Sequence, residues 1–360
     1  MEAFVLAVIS DAHLFVLLLV MAVSLAVLVK GADLLVVEAV ALSIGWGMSK
    51  MLVGATIVSL GTTLPETTVS VFAALRGSPG LALGNAVGSI IANTGLILGL
   101  AVVIGPIPVD RYIVRRQSWI QFGSALLLVA ACIPFHRMGA VFTAGGRLPR
   151  FAGFVFLLLL ALYLWRSVRL SRGATGSPQT AEDPGARDTG PRDTSPRDTR
   201  RPVPAFVRLL AGIVFIVVSS RVLIPTVEVI ADRLAIPDSI IAATLVAFGT
   251  SLPELATAIS AVRRRHGELA LGNVIGANIL NVLFVVGASA AVTPGGLAVP
   301  PKFFVLFFPS LIFVVTVLRI GIGGSPHALK RGFGIVLLAA YVVTVVAGYL
   351  IPGMDAAALP

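Results

Sequence analysis

The sequence predicts an all-α polytopic membrane protein: ten transmembrane helices arranged as two inverted five-helix repeats. Three observations predict it. The first is composition. Of the 360 residues, 57% are hydrophobic and only 12% charged, and the mean hydropathy is +0.98; a soluble domain carries about 25% charged residues. The second is the recurrence, from end to end, of apolar runs near the roughly 20 residues a bilayer-spanning helix needs. They lack the period-two alternation of a transmembrane barrel. The third is a motif written twice. Gly61-Thr62-Thr63-Leu64-Pro65-Glu66 is followed by Leu81-Ala82-Leu83-Gly84-Asn85, Gly88, Ser89 and Asn93. Gly249-Thr250-Ser251-Leu252-Pro253-Glu254 is followed by Leu269-Ala270-Leu271-Gly272-Asn273, Gly276, Ala277 and Asn281, at a constant offset of 188 residues.

Taken in order, the apolar runs place spans near 12–37, 50–75, 80–104, 118–135, 150–170, 205–231, 238–262, 268–292, 302–320 and 332–352. Most gaps between them are short and carry Gly, Pro or charge, as helix connections do. Residues 171–204 differ. They are rich in Arg, Asp, Pro, Thr and Gly, and Arg-Asp-Thr recurs at 187–189, 192–194 and 197–199. Such a segment cannot bury enough apolar surface to fold alone, so it reads as a solvated linker. It separates a first five-helix unit, 1–170, from a second, 205–360. Five is odd, so the second unit enters the membrane in the opposite sense, which is a signature of secondary transporters. Weaker similarity extends the repeat upstream, Val37-Glu38-Ala39-Val40-Ala41 resembling Val227-Glu228-Val229-Ile230-Ala231.

The remaining bulk features fit this plan. Glu2 and Asp11 stand where a cleavable signal would carry basic residues, and the first apolar run is too long for one. Cys132, the only cysteine, reads as a small packing residue. The formal charge of +10 does not call for nucleic acid, because Arg and Lys accumulate on the cytoplasmic loops of membrane proteins. With the N-terminus outside, the inner face takes Lys50, Arg111, Arg115, Arg116, the linker arginines, Arg263 to Arg265, Lys330 and Arg331. The outer face takes Arg76, Arg137, Arg147, Arg150, Arg233 and Lys302. This excess predicts a multi-pass protein of the plasma (inner) membrane with both termini outside and 171–204 cytoplasmic.

The repeated motif carries the chemistry. Glu66 and Glu254 fall mid-way along the second and seventh spans, where a charge costs at least about 2.5–3.5 kcal/mol. No basic residue lies near either on its own helix, so a structural ion pair is disfavoured and a bound cation favoured. Pro65 and Pro253 cannot donate to the carbonyls of Gly61 and Gly249, which predicts two kinked helices with freed oxygens one turn before each Glu. Thr62 and Thr63 lie four and three residues before Glu66, and Thr250 and Ser251 stand in the same relation to Glu254, so each set shares a helical face. Asn85, Ser89 and Asn93 form a stripe on the next span, answered by Asn273 and Asn281, with Ala277 in place of the serine. Asn85 and Asn273 read as interhelical hydrogen-bond residues, and Gly84, Gly88, Gly272 and Gly276 as close-packing positions. The set is all oxygen. Calcium takes about 6–8 oxygens in irregular geometry. The histidines (His13, His136, His266, His327) lie outside both motifs, which disfavours zinc, copper and iron. Nothing calls for a cofactor.

These paired motifs resemble the α-repeats of the cation/calcium antiporter superfamily, and within it the sodium/calcium exchangers, over 54–100 and 242–288. The resemblance implies a central site between the second, third, seventh and eighth spans, with calcium and sodium as the transported ions. By it Glu66 and Glu254 are shared ligands. Thr62, Thr63, Thr250 and Ser251 are side-chain or carbonyl ligands, Ser89, Asn93 and Asn281 add oxygens, and the carbonyls of Ser59 and Ala247 complete the sodium sites. Ala277 and Asn281 depart from the pattern, where relatives carry Ser and Asp, which bears on sodium stoichiometry and on the counter-ion. Proton/calcium or potassium-dependent exchange stands second. An intramembrane acid–base enzyme built on the two glutamates has no reason to duplicate five helices, and a passive channel usually gathers its oxygens in an oligomeric ring.

Overall fold

The computed structural model describes residues 12–109, 112–134, 139–173, 202–233, 251–325 and 327–350. Almost all of them are helical. In chain order the helices are α1 (Leu14–Trp46), α2 (Lys50–Thr62), α3 (Leu64–Leu75), α4 (Pro79–Ile104), α5 (Ile113–Cys132), α6 (Arg150–Gly173), α7 (Pro202–Arg233), α8 (Leu252–Arg263), α9 (Gly267–Val292), α10 (Phe303–Gly324) and α11 (Arg331–Leu350). Among the described residues, six are by themselves long and apolar enough to cross a membrane: α1, α4, α6, α7, α9 and α10. The first part of the expected seventh span, through residue 250, lies outside the described residues.

Two expectations need correcting. The first span does not end near residue 37 but runs to Trp46, where Gly47 (φ 63°) closes it in the left-handed conformation glycine tolerates. In the structure Arg208 Nε and Nη2 donate to Glu38 at 2.6 and 3.3 Å, so the buried carboxylate is paired and the helix continues. At 33 residues, α1 is about 50 Å long and exceeds the hydrocarbon thickness. The expected span 50–75 is likewise not one kinked helix but two, α2 and α3, parted at Thr63.

The 188-residue offset recurs in three dimensions. Pro79–Ile104 maps onto Gly267–Val292, and Leu64–Leu75 onto Leu252–Arg263, at both ends. α1 and α7 pack along their length in opposite directions: Ala12 meets Arg233, Gly31 meets Phe215, and Glu38 meets Arg208. α4 and α9 occupy the centre. Of the apolar stretch of α9, 94% is buried inside the protein, against 22% for α1 and α6, which turn their apolar faces outward as lipid-facing helices do.

Four short strands fasten the halves. β1 (Ile107–Pro108) follows α4, β2 (Gly146–Leu148) follows α5, β3 (Leu297–Val299) follows α9, and β4 (Ala328–Leu329) follows α10. β1 pairs antiparallel with β4, Ile107 opposite Leu329. β2 pairs antiparallel with β3, Gly146 opposite Val299 and Leu148 opposite Leu297. Each pair joins one strand from each half, and exchanging the halves converts one pair into the other. Gly296 (φ 86°) makes the turn into β3, where its missing side chain lets Leu148 and Arg150 come close.

Candidate functional site

The candidate site is built where two helices open, Leu64–Leu75 and Leu252–Arg263. Thr63 (φ −83°, ψ −3°) ends α2, and Ser251 (φ −93°, ψ 9°) precedes α8; both lie in the sparsely populated bridge region. Pro65 and Pro253 open the following helices at positions where a missing N–H costs nothing. Glu66 and Glu254 therefore sit in the first turns of α3 and α8. There the free N–H groups and the helix dipole favour negative charge. In the first half the freed carbonyl thus comes from a break rather than a kink. Both carboxylates are fully buried, at 0% exposure, and near enough to repel one another.

Thr62 and Thr63 make contacts across the halves. Thr63 Oγ1 donates to Glu254 Oε1 across the halves at a long 3.5 Å, and Thr62 Oγ1 donates to Asn273 Oδ1 at 3.4 Å. α4 and α9 each loosen into a wider π turn, Asn93–Ile97 and Asn281–Val286, starting at the two matched asparagines. Such turns leave backbone groups out of the regular ladder and recur at functional sites. The packing is reciprocal: α3, which carries Glu66, rests on the π turn of α9, and α8, which carries Glu254, rests on that of α4.

The hydrogen-bond accounting includes the same residues, together with Gln121, Asn278 Oδ1, Ser289 Oγ and Arg319 Nε. Among the described residues, both Glu66 oxygens, Glu254 Oε2, Ser89 Oγ, Ser251 Oγ and the whole amides of Asn93 and Asn281 are buried without a hydrogen-bond partner. Among the described residues no ion pair joins either glutamate. Native proteins leave few such atoms, because each costs about 1–3 kcal/mol. The described residues hold no cluster of three or more His, Cys, Asp or Glu.

Some expected roles change. Asn85 is structural, as expected, donating to Ser70 Oγ at 2.9 Å and to the Glu66 carbonyl at 3.3 Å. Asn273 is only half so, because its Nδ2 has no partner. The Ser59 carbonyl already accepts from Thr63 N–H at 2.9 Å and lies 3.4 Å from the Thr62 hydroxyl. Gly272 and Gly276 do pack closely, against Met51 and Ala55 of α2. The residues matching Met51 and Ala55, Ser239 and Ala243, lie outside the described residues with Thr250 and Ala247, so the partners expected for Gly84 and Gly88 do too. One pair escaped sequence reasoning: Asn278 Nδ2 donates to Thr94 Oγ1 at 2.8 Å, tying α9 to α4. Their matches are Ile90 and Val282, so a search for repeated residues passes over both.

The chain matches the sodium/calcium exchanger protein family over residues 16–169 and 204–350, leaving out the linker. This chain belongs to that family. Within it, the chain is 35% identical to the inner membrane protein YrbG of Escherichia coli, over 89% of this chain and 93% of that one. It is 30% identical to the sodium/calcium exchanger MaX1 of Methanosarcina acetivorans, over 91% and 97%. Its fold matches that of the sodium-calcium exchanger NCX_Mj soaked with 10 mM Na+ and zero Ca2+, with a TM-score of 0.74 and 27% identity, over 93% of this chain and 99% of that chain. The protein is an integral membrane cation/calcium antiporter of the exchanger family, a transporter rather than an enzyme.

Proposed function

We propose that this antiporter exchanges calcium for sodium by alternating access at a central site whose shared ligands are Glu66 and Glu254. One observation carries the reading: two fully buried carboxylates with no basic partner, in a protein whose Ser89, Ser251, Asn93 and Asn281 carry buried oxygens that find no hydrogen-bond partner, both among the described residues. The carboxylates with Ser89, Ser251, Asn93 and Asn281 offer the all-oxygen set calcium favours. Thr62 and Thr63 of α2 add hydroxyls. Thr250, Ser59 and Ala247 are further ligands in this reading. The names of the relatives support sodium as the counter-ion.

Coupling follows from charge. With both glutamates ionised, the empty site holds two negative charges in a low-dielectric setting, and sealing it from water is costly. One calcium ion neutralises the pair, and so do two or more sodium ions. Loaded forms close and cross; the empty form does not. The two five-helix units, 1–170 and 205–360, supply the two access states.

The test is calcium uptake into proteoliposomes under imposed sodium, potassium or proton gradients. Uptake driven by sodium alone is expected. Uptake that ignores sodium and follows protons or potassium replaces the counter-ion, and uptake with no counter-ion requirement overturns antiport. Both termini are assigned to the outside and linker 171–204 to the cytoplasm, following the basic residues. Single cysteines placed in the linker and at Arg264 are expected to react only from the cytoplasmic side, and one at Arg147 only from outside. The reverse pattern inverts the assignment.

A further inference from the structure

Most threonines in these helices bond to their own helix. Thr56, Thr67, Thr226, Thr257, Thr293 and Thr344 each donate to the carbonyl four residues back, at 2.7–2.9 Å, a local bond that threonine readily makes within a helix. Among the described residues Thr94 makes no such bond. It is fully buried at the second position of the π turn of α4, and its Oγ1 accepts from Asn278 Nδ2 of α9 at 2.8 Å. The Thr62–Asn273 and Thr63–Glu254 bonds nearby are long, at 3.4 and 3.5 Å, so Asn278–Thr94 is the short side-chain bond between the halves here. It also adjoins the candidate ligands in the chain. Thr94 follows Asn93 directly, and Asn278 lies one helical turn before Asn281.

The repeat supplies an internal comparison. Exchanging the halves sends Asn278 to Ile90 and Thr94 to Val282, both apolar and both buried. One of two matched positions between α4 and α9 is therefore fixed by a directional bond, and the other holds only packing residues. The bond is not there for stability alone. Asn278 is buried, yet its Oδ1 has no partner among the described residues. An amide satisfied at one end and bare at the other adds little net stability. What such a bond supplies is a fixed distance. That distance matters at this place, because α8, which carries Glu254, rests on the π turn of α4, and α3, which carries Glu66, rests on that of α9.

We propose that Asn278 and Thr94 are a positioning pair. Their bond holds α4 against α9 at the spacing that presents Asn93 and Asn281 to the transported ions, and it sets the affinity for the counter-ion more than the affinity for calcium. The inference rests on the exchange site proposed above. Its selectivity follows from charge. Calcium carries two charges, draws both carboxylates toward itself and so gathers the frame around it. A sodium ion carries half that charge and depends on oxygens already in place, and preorganisation of that kind is what the pair provides.

The experiment measures half-saturating sodium and half-saturating calcium for exchange in proteoliposomes at fixed pH. The proteins are the full-length parent, T94V, N278L, the double variant T94V/N278L and T94S. T94V and N278L are each expected to raise half-saturating sodium about three- to tenfold, the worth of one neutral hydrogen bond, and to move half-saturating calcium less than about twofold. The double variant is expected to match the worse single one, because the bond can be lost only once. T94S keeps the hydroxyl and is expected to behave as the parent. A pair that served packing alone would lower the unfolding temperature and the maximal rate while leaving the ratio of the two half-saturating concentrations unchanged, and that result overturns the proposal. Additive effects in the double variant overturn it as well, and so does a T94S that is no better than T94V. Should N278L fail to fold, T94V and T94S decide the matter, since Val keeps the shape of Thr. A parent whose flux ignores sodium overturns the counter-ion reading and not the pair, whose effect is then read on the cation that does drive the parent.

Discussion

In the proposed reading, Glu66 and Glu254 are the residues on which exchange turns. Each is a carboxylate with no exposure to solvent. Replacing either by Gln keeps shape and volume but leaves a bound divalent cation half neutralised. An uncompensated buried charge is worth about 3–5 kcal/mol, so calcium flux in Glu66→Gln and in Glu254→Gln is expected to fall at least about a hundredfold. Folding, followed by thermal unfolding in detergent, is expected to be kept. Near-normal flux in either variant removes that glutamate from the site. Ala277, fully buried on α9, holds the place that Ser89 holds on α4. Ala277→Ser restores the oxygen on that side, and the expected result is half-maximal exchange at lower sodium with little change for calcium. At this scale the candidate residues were legible, because carboxylates and amides set into apolar spans, and repeated at a fixed offset, are costly unless a cation holds them. Asn278 and Thr94 were not, since they form an asymmetric pair within a symmetric frame.

Among the elements, the broken helices matter most. Proline before each Glu made a disturbance foreseeable, but not its size. Whether a proline kinks a helix or ends it depends on the backbone ahead of it, and Thr63 and Ser251, two residues before Pro65 and Pro253, adopt bridge-region angles that sequence does not reveal. The π turns at Asn93 and Asn281 were equally out of sight, since their composition matches the α-helix around them. The glycines of α9 were readable as contact points, and they set a sharp steric limit. A Cβ on Gly276 would stand 2.5 Å from the Ala55 backbone. Gly276→Val is therefore expected to push α2 away from α9. Over-packing of this kind costs about 1–3 kcal/mol, and moving Thr62 and Thr63 away from Asn273 and Glu254 is expected to lower flux more than it lowers the unfolding temperature. A folded variant with parental flux would mean that α2 does not need this contact to shape the site.

For the whole molecule, the duplicated motif made the two-part plan legible, and the residues linking the parts were hidden. Strands of two or three residues show no alternation. Yet these are the features that cross between halves: the two strand pairs, the Glu38–Arg208 pair and the length of α1 against α7. Residues 174–201 are the covalent link between the same halves. Neither half completes either of these strand pairs from its own sequence, so during synthesis β1 and β2 wait for partners more than a hundred residues away. A peptide bond is not what such an arrangement depends on. Residues 1–173 and 202–360, made as two polypeptides in one cell, are expected to find one another in the membrane, co-purify through a tag on one of them, and transport calcium. Recovery of the tagged half alone would show that continuity of the chain, and not the seam between its halves, is what brings them together.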